Sequence, residues 1–162
     1  DNERFLSSLT LNATVIDAIQ TMSNSEYISK LNAVKDELNK GENFSKERPL
    51  QGQSPYIFNA GINNRLLNKN LEIGLFFNVQ GETLSNVGVG GVPDVYTKPF
   101  NRLDFSLKKE FDGKINKTLT LRANNLLNDD REQVYKWLGK DTLIFNSYSP
   151  GITFSLGYSL KF

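Results

Sequence analysis

The chain of 162 residues contains no cysteine and no histidine. Without cysteine there are no disulfides and no thiolate metal sites, and without histidine the commonest metal ligand and general base is missing. Most familiar hydrolytic and redox sites are therefore out of reach, although carboxylates, serine, tyrosine and lysine remain. We predict that the protein is not an enzyme, that it has no catalytic or metal-binding residues, and that it carries no cofactor.

A strong charge of one sign and long apolar runs are also lacking. The 19 basic and 18 acidic residues leave a net charge of +1, so no nucleic-acid partner is expected. No run of about 18 apolar residues is available for a transmembrane helix. Residues 1–5 lack the basic start and apolar core of a signal peptide. The mean hydropathy is negative, but this average hides strands with one apolar face, because alternating residues cancel.

Strict alternation of apolar and polar residues is the strongest pattern that is present. Successive strand side chains point to opposite faces, so each such segment predicts a strand with one apolar face. Six segments alternate in this way, and their lengths of about ten residues suit strands that cross a bilayer at a tilt. Their apolar members are Leu9, Leu11, Ala13 and Val15; Tyr56, Phe58, Ala60 and Ile62; Leu71, Ile73, Leu75, Phe77 and Val79; Leu103, Phe105, Leu107 and Phe111; Leu119, Leu121 and Ala123; and Ile152, Phe154, Leu156, Tyr158, Leu160 and Phe162.

Short and long connections alternate between these segments. The short ones, 68–70 and 112–116, are rich in the Asn, Asp and Gly that hairpin turns require. The long ones span about 21–53, 81–100 and 128–149. In outer-membrane barrels the short turns are periplasmic and the long loops extracellular. The pattern therefore predicts a bacterial outer-membrane location with a periplasmic C-terminus.

The first long connection carries a helical pattern. Its apolar residues with helical spacing are Tyr27, Ile28, Leu31, Val34 and Leu38, preceded by Ser25 as a candidate N-cap and followed by Gly41. We expect a short amphipathic helix whose apolar face packs on neighbouring loops. The alternative is that this face binds a partner.

Six strands are too few to close a membrane barrel. Every backbone polar group in a bilayer must be hydrogen-bonded, and the smallest closed single-chain barrels have about eight strands. We therefore expect further strands from other chains or from a longer polypeptide. The predicted fold class is all-β: an antiparallel transmembrane β-barrel segment with long extracellular loops and a short loop helix. Charges of both signs on the other parity indicate a wet or plugged lumen; they are Glu72, Arg102, Asp104, Lys108, Glu110, Arg122 and Lys161.

Several short motifs resemble the C-terminal end of TonB-dependent receptors, especially those of the Bacteroidetes type. The resemblance covers about Arg48 to Phe162. The motifs are Arg48-Pro49-Leu50-Gln51-Gly52-Gln53-Ser54-Pro55-Tyr56, Gly91-Val92-Pro93-Asp94-Val95-Tyr96, Asn101-Arg102-Leu103-Asp104, Asn124-Asn125-Leu126-Leu127-Asn128, and Tyr148-Ser149-Pro150-Gly151 with Gly157-Tyr158-Ser159-Leu160-Lys161-Phe162.

The resemblance implies a barrel of about 22 strands, of which residues 1–162 would be the C-terminal portion. It also implies a plug domain and a TonB-box peptide, neither of which has a match in this chain. Such receptors import nutrients such as siderophores, cobalamin, glycans or peptides when TonB remodels the plug. The expected partners are outer-membrane lipid, the rest of the barrel with its plug, TonB through the N-terminal part, and a surface lipoprotein or complex partner.

Two other functions compete with import. One is a barrel scaffold subunit of an outer-membrane secretion or surface complex, which the upstream sequence would distinguish, since a plug and TonB box favour transport. The other is a soluble lipid-binding β-barrel, which would fold without detergent and turn its apolar residues inward.

Candidate functional residues follow from position. Phe162, Leu160 and Tyr158 resemble the terminal signal read by the barrel-assembly machinery, and the competing interpretation is a lipid-facing stripe. Arg102, Asp104, Lys108, Glu110 and Arg122 are predicted to face the lumen and plug, unless they only pair with each other. Tyr135 and Trp137 are predicted to contact a ligand from an extracellular loop. The competing interpretations are loop packing and anchoring at the membrane interface.

Two weaker motifs are interpreted structurally. Gly88-Val89-Gly90-Gly91 lacks the following lysine and helix of a phosphate-binding loop, which favours a flexible turn. Asp129, Asp130 and Glu132 lack the spacing of a calcium loop, which favours solvated loop charge.

Overall fold

A computed structural model describes residues 4–36, 38–39, 41–136 and 141–161. Among these residues all strand pairs are antiparallel and there is one α-helix, so the predicted all-β antiparallel class is confirmed. The elements, in chain order, are β1 (Phe5–Val15), β2 (Ile19–Thr21), α1 (Asn24–Val34), β3 (Glu47–Pro49), β4 (Tyr56–Leu66), a 3₁₀ turn (Leu67–Lys69), β5 (Leu71–Gln80), β6 (Thr83–Asn86), β7 (Asp94–Thr97), β8 (Phe100–Phe111), β9 (Asn116–Asn124), β10 (Arg131–Lys136), β11 (Leu143–Tyr148) and β12 (Thr153–Lys161).

The six predicted strands form one sheet in the order β1-β4-β5-β8-β9-β12. Their register aligns the apolar sets: Leu9 lies opposite Ile62, which lies opposite Leu75 on its other side. Leu75 in turn lies opposite Phe105. Because the side-chain period of a strand is two, a slip of one residue in any pair would have interrupted this alignment. The sheet therefore has one face that is apolar from β1 to β12 except for Lys109, and one mainly polar face that includes Phe76.

The apolar face is largely uncovered at both ends of the sheet. Leu9 on β1 is 68% exposed, and Phe154 and Leu156 on β12 are 72% and 73% exposed. A soluble monomer rarely leaves a contiguous apolar surface of this extent uncovered. The sheet is also open: within the described ranges, β1 and β12 are its two edges and each pairs on one side only.

The long connections differ from the irregular loops that the sequence predicted. Strands β6, β7, β10 and β11 form a second sheet, and β2 pairs with β3. The order β6-β7-β10-β11 repeats the order of β5, β8, β9 and β12, to which these strands are connected. The hairpins therefore extend beyond the six-stranded sheet. Strands β7, β10 and β11 do not alternate between apolar and polar residues, which is why the sequence showed no strand pattern there.

The fully buried side chains lie in this second sheet. Leu84 and Val134 are 0% and 1% exposed, and Val95 is 4% exposed. Leu84 and Val134 both lie opposite Tyr96, so they share one face of the sheet. Among the described residues, most buried apolar side chains thus lie in the hairpin extensions and around α1, and Ala123 is the one that lies in the six-stranded sheet.

Helix α1 confirms that the first long connection contains a helix, but both ends of the helix differ from the prediction. Its N-cap is Ser23, whose Oγ accepts a hydrogen bond from the Glu26 backbone N–H at 3.2 Å, so the prediction of Ser25 was wrong. The helix ends at Val34, one turn before the predicted Leu38. Within the described part of the chain, no helix has both the length and the apolar character that a membrane crossing needs.

Candidate functional site

The polar face of the six-stranded sheet carries all five residues that were predicted to face a lumen. They pair mainly with each other: Arg102 Nε lies 2.8 Å from Asp104 Oδ1, and Lys108 Nζ lies 2.5 Å from Glu110 Oε1. Asp104 Oδ1 also accepts a hydrogen bond from the Asn125 backbone N–H at 3.1 Å. These contacts fit the competing interpretation of mutual pairing, although Arg122 forms no ion pair with any described residue.

Asp104 and Asn125 together form the corner at which β9 ends. Asn125 is 4% exposed and has a φ of 56°, a left-handed conformation that asparagine tolerates better than most residues. Its side-chain amide donates to the carbonyls of Asp129 and Gly151 at 3.3 and 3.1 Å. The motif that includes Asn125 therefore has a structural role in turning the chain between β9 and β10.

The acidic residues after this corner are also structural. Asp129 Oδ2 accepts hydrogen bonds from the Asn101 backbone N–H and side-chain amide at 2.7 and 3.1 Å. Glu132 Oε2 lies 2.7 Å from Lys98 Nζ. No group of three or more potential metal ligands occurs among the residues that the structure describes.

A cleft of about 500 Å³ lies between the second sheet and the segments that flank α1 in sequence, Met22 and residues 43–49. Its volume is within the range of small-molecule binding sites, about 300–1,000 Å³. Its wall combines apolar or aromatic side chains with charged ones; they include Met22, Phe44, Arg48, Pro49, Asp94, Tyr96 and Lys136. A site of this composition can bind a ligand through ring contacts and hydrogen bonds.

Ion pairs hold α1 against the second sheet beside this cleft. Lys30 Nζ lies 2.5 Å from Asp94 Oδ1, and the two side chains are 7% and 14% exposed. Arg48 on β3 pairs with Glu26 on α1. The Arg48 Nε is buried and has no hydrogen-bond partner among the described residues. The helix position is thus fixed by charged contacts that leave one buried donor unsatisfied.

Tyr96 is one of the two aromatic residues in the described cleft wall, with Phe44. Burial raises the pKa of its phenol above the usual value, and the nearby carboxylates of Asp94 and Glu82 raise this pKa further, while Arg48 lowers it. The Tyr96 hydroxyl is therefore a neutral hydrogen-bonding group at neutral pH. Lys136 Nζ lies 5.0 Å from the centre of the Tyr96 ring and 2.5 Å from Glu82 Oε1.

The sequence did not predict this cleft. Arg48, Asp94 and Tyr96 had been noted only as members of two motifs, and Lys136 had not been noted. These residues come from separate hairpins, and no local spacing rule brings them together. The sequence nevertheless contained one indication of this site. Charged residues within otherwise apolar strand segments need partners when they are buried.

The remaining predicted residues are placed as follows. Tyr135 lies in β10, where its ring packs edge-on against Phe145 with centroids 5.1 Å apart, as expected for loop packing. Tyr158 and Leu160 lie on the apolar face of β12 and are 59% and 46% exposed. Trp137 and Phe162 lie outside the described residues.

Replacing Gly88 by alanine is expected to destabilise the turn before Asp94. A Cβ at Gly88 would lie 2.0 Å from the Val92 carbonyl oxygen, a backbone atom that no rotamer change can move. Gly88 N–H also donates to Asp94 Oδ1 at 2.8 Å, so the strain would reach the ion pair with Lys30. We expect a loss of roughly 1–3 kcal/mol in the free energy of unfolding, with faster proteolysis of the turn.

Gly91→Ala is the matched control for this change. Its Cβ would lie 3.8 Å from the Ala33 Cβ, an ordinary contact. Equal proteolysis rates and equal stabilities for the two variants would show that the turn is as flexible as its sequence suggested.

The chain matches no protein-family model, no curated protein and no solved structure.

Proposed function

We propose that this chain is the C-terminal part of a transmembrane β-barrel in a bacterial outer membrane, and that the barrel is a TonB-dependent receptor that imports a nutrient. The observation that carries the barrel proposal is the continuous apolar face of the six-stranded sheet. Contact with lipid stabilises such a face, because exposure of apolar surface to water costs roughly 25 cal/mol for each Å².

The open edges support a wider barrel. A sheet within a bilayer must close, since unpaired backbone groups there cost several kcal/mol each. Strands β1 and β12 each need a further partner, which the rest of a larger barrel supplies. The strand lengths of 9–12 residues in the six-stranded sheet suit a tilted crossing of the bilayer.

The distribution of charge supports a hydrated interior. Arg102, Lys108 and Glu110 lie on the face opposite the apolar one, which becomes the lumen wall once the apolar face contacts lipid. The cleft lies beyond the six-stranded sheet, in the hairpins that the barrel orientation makes extracellular. Import is favoured over a scaffold role by the resemblance of the motifs and by this cleft, which a purely structural wall does not need.

Uptake measurements test the import proposal. Cells that lack the gene, cells that carry it and complemented cells would be compared for uptake of labelled ferric siderophores, cobalamin, oligosaccharides and peptides. We expect uptake of one class to be lost in the deletion strain, and to be lost from wild-type cells when an uncoupler dissipates the proton gradient. Unchanged uptake of every class, together with loss of other surface proteins from the deletion strain, would instead identify a scaffold.

A further inference from the structure

A second pocket lies at the junction of the six-stranded sheet and the hairpin extensions, with a volume of about 250 Å³. In the register of β5 and β8, Gln80 pairs with Phe100 and Asn78 pairs with Arg102, so the pocket opens on the polar face. It is separate from the cleft beside α1, because the two share no lining residue.

Arg131 is the distinctive group of this pocket. Its guanidinium carbon lies 4.3 Å from the centre of the Phe100 ring, so an aromatic face supports the guanidinium. No described residue forms an ion pair or hydrogen bond with the Arg131 side chain. Its five N–H donors are therefore available to a ligand, in the fork geometry that matches a carboxylate or phosphate.

The remaining lining groups favour the same type of ligand. They are the cation of Lys98, the amides of Asn78 and Gln80, and the hydroxyls of Thr83 and Thr97. No aspartate or glutamate is among the described residues that line the pocket. The Gln80 amide and the second N–H of the Asn78 amide can donate to a ligand, whereas the Thr83 hydroxyl already donates to the Gly81 carbonyl and the Thr97 hydroxyl pairs with Ser85. A carboxylate in the wall would repel an anion.

Two carboxylates close to Arg131 in sequence are already engaged. Glu132 pairs with Lys98 at 2.7 Å, and Asp129 accepts from the backbone and side chain of Asn101. Glu132 offsets the charge of Lys98, so Arg131 supplies the positive charge that lacks a protein partner.

We propose that this pocket binds an oxyanion, a carboxylate or phosphate group of a small solute, with Arg131 as the bidentate ligand. Phe100 supports the guanidinium, and the amides of Asn78 and Gln80 contact the remaining oxygen atoms. Binding at this site does not depend on the barrel proposal, because it is a property of the purified protein whatever its cellular role.

Titration calorimetry on the complete protein in detergent tests the proposal, with inorganic phosphate and citrate as the probes. We expect saturable binding of at least one probe, and the stronger of the two identifies phosphate or carboxylate as the source of the oxyanion. Arg131→Gln should raise the dissociation constant about tenfold or more, because hydrogen bonds to a charged group are the strong ones. Arg131→Lys should recover only part of the affinity, since it keeps the charge but loses the fork.

Arg122→Gln is the matched control, because Arg122 lies on the same polar face and is not among the residues that line the pocket. It should leave both dissociation constants unchanged. If Arg131→Gln and Arg122→Gln weakened binding equally, the probes would be held by diffuse charge attraction and not by a specific site. The absence of saturable binding of either probe to the wild type would overturn the proposal. Circular dichroism of each variant separates loss of binding from loss of folding.

Discussion

Replacing Leu9 by arginine is expected to lower the free energy of unfolding in lipid by about 2–4 kcal/mol. Leu9 lies near the middle of β1 on the apolar face, opposite Ile62, and is 68% exposed. If this face contacts lipid, the arginine enters the least polar part of the bilayer. The measurement is denaturant unfolding of the complete protein in phospholipid vesicles, together with the amount of assembled protein in cell membranes.

Thr10→Arg is the control for this substitution. Thr10 follows Leu9 on the same strand at almost the same depth, but its side chain lies on the polar face opposite Gly61. We expect this change to alter the free energy of unfolding by about 1 kcal/mol or less, because an arginine there reaches water. Should Thr10→Arg cost as much as Leu9→Arg, or more, the assignment of the lipid-facing side would be wrong.

Replacing Asp94 by asparagine is expected to cost about 3–5 kcal/mol, because it leaves the buried Lys30 ammonium without its counter-charge. Lys30 is 7% exposed and Asp94 14%, so little water is available to take over the role of the carboxylate. Detachment of α1 from the second sheet should follow. Unfolding measurements and hydrogen exchange of the α1 amides would detect both effects.

Glu132→Gln is the corresponding control in an exposed pair. Glu132 and its partner Lys98 are 27% and 44% exposed, so we expect a loss of about 1 kcal/mol or less. The double variant Asp94→Asn with Lys30→Met should be more stable than Asp94→Asn alone, since it removes the unpaired charge. If the double variant were less stable than the single one, the Lys30 charge would not be the cause of the loss.

The ion pair between Lys30 and Asp94 is also expected to affect ligand binding in the cleft. Asp94 belongs both to the ion pair that holds α1 and to the cleft wall with Tyr96. A ligand that enters the cleft therefore meets groups whose positions depend on the helix. Binding and the docking of α1 are expected to be coupled, and the Asp94→Asn variant affects both.

Local periodicity explains why the strands of the six-stranded sheet could be predicted. The stripe from Phe154 to Leu160 fixed both the strand type of β12 and its apolar face, because one residue in two points to each side whatever the neighbouring strands do. Helical spacing predicted α1 in the same way. It misplaced the N-cap by two residues, since Ser23 and Ser25 are equally good candidates and only backbone geometry separates them.

The strands of the hairpin extensions could not be predicted from local periodicity. Strand β7 has four residues and β10 has six. Such short segments were interpreted as loops because their strand character depends on pairing with each other. Arg131 over Phe100 is a comparable case, because the two residues are distant in sequence and only the pairing of β8 with β9 and of β7 with β10 brings them together.

The sequence by itself determined which side of each long strand is apolar, where the short turns lie, and that one helix interrupts the first long connection. These properties depend on neighbours a few positions away. Only the tertiary structure decided that the six apolar stripes join into one face, that the long connections pair as strands, and that Lys30 lies beside Asp94. Register and ion pairs of this kind depend on contacts between distant segments, which a local pattern does not encode.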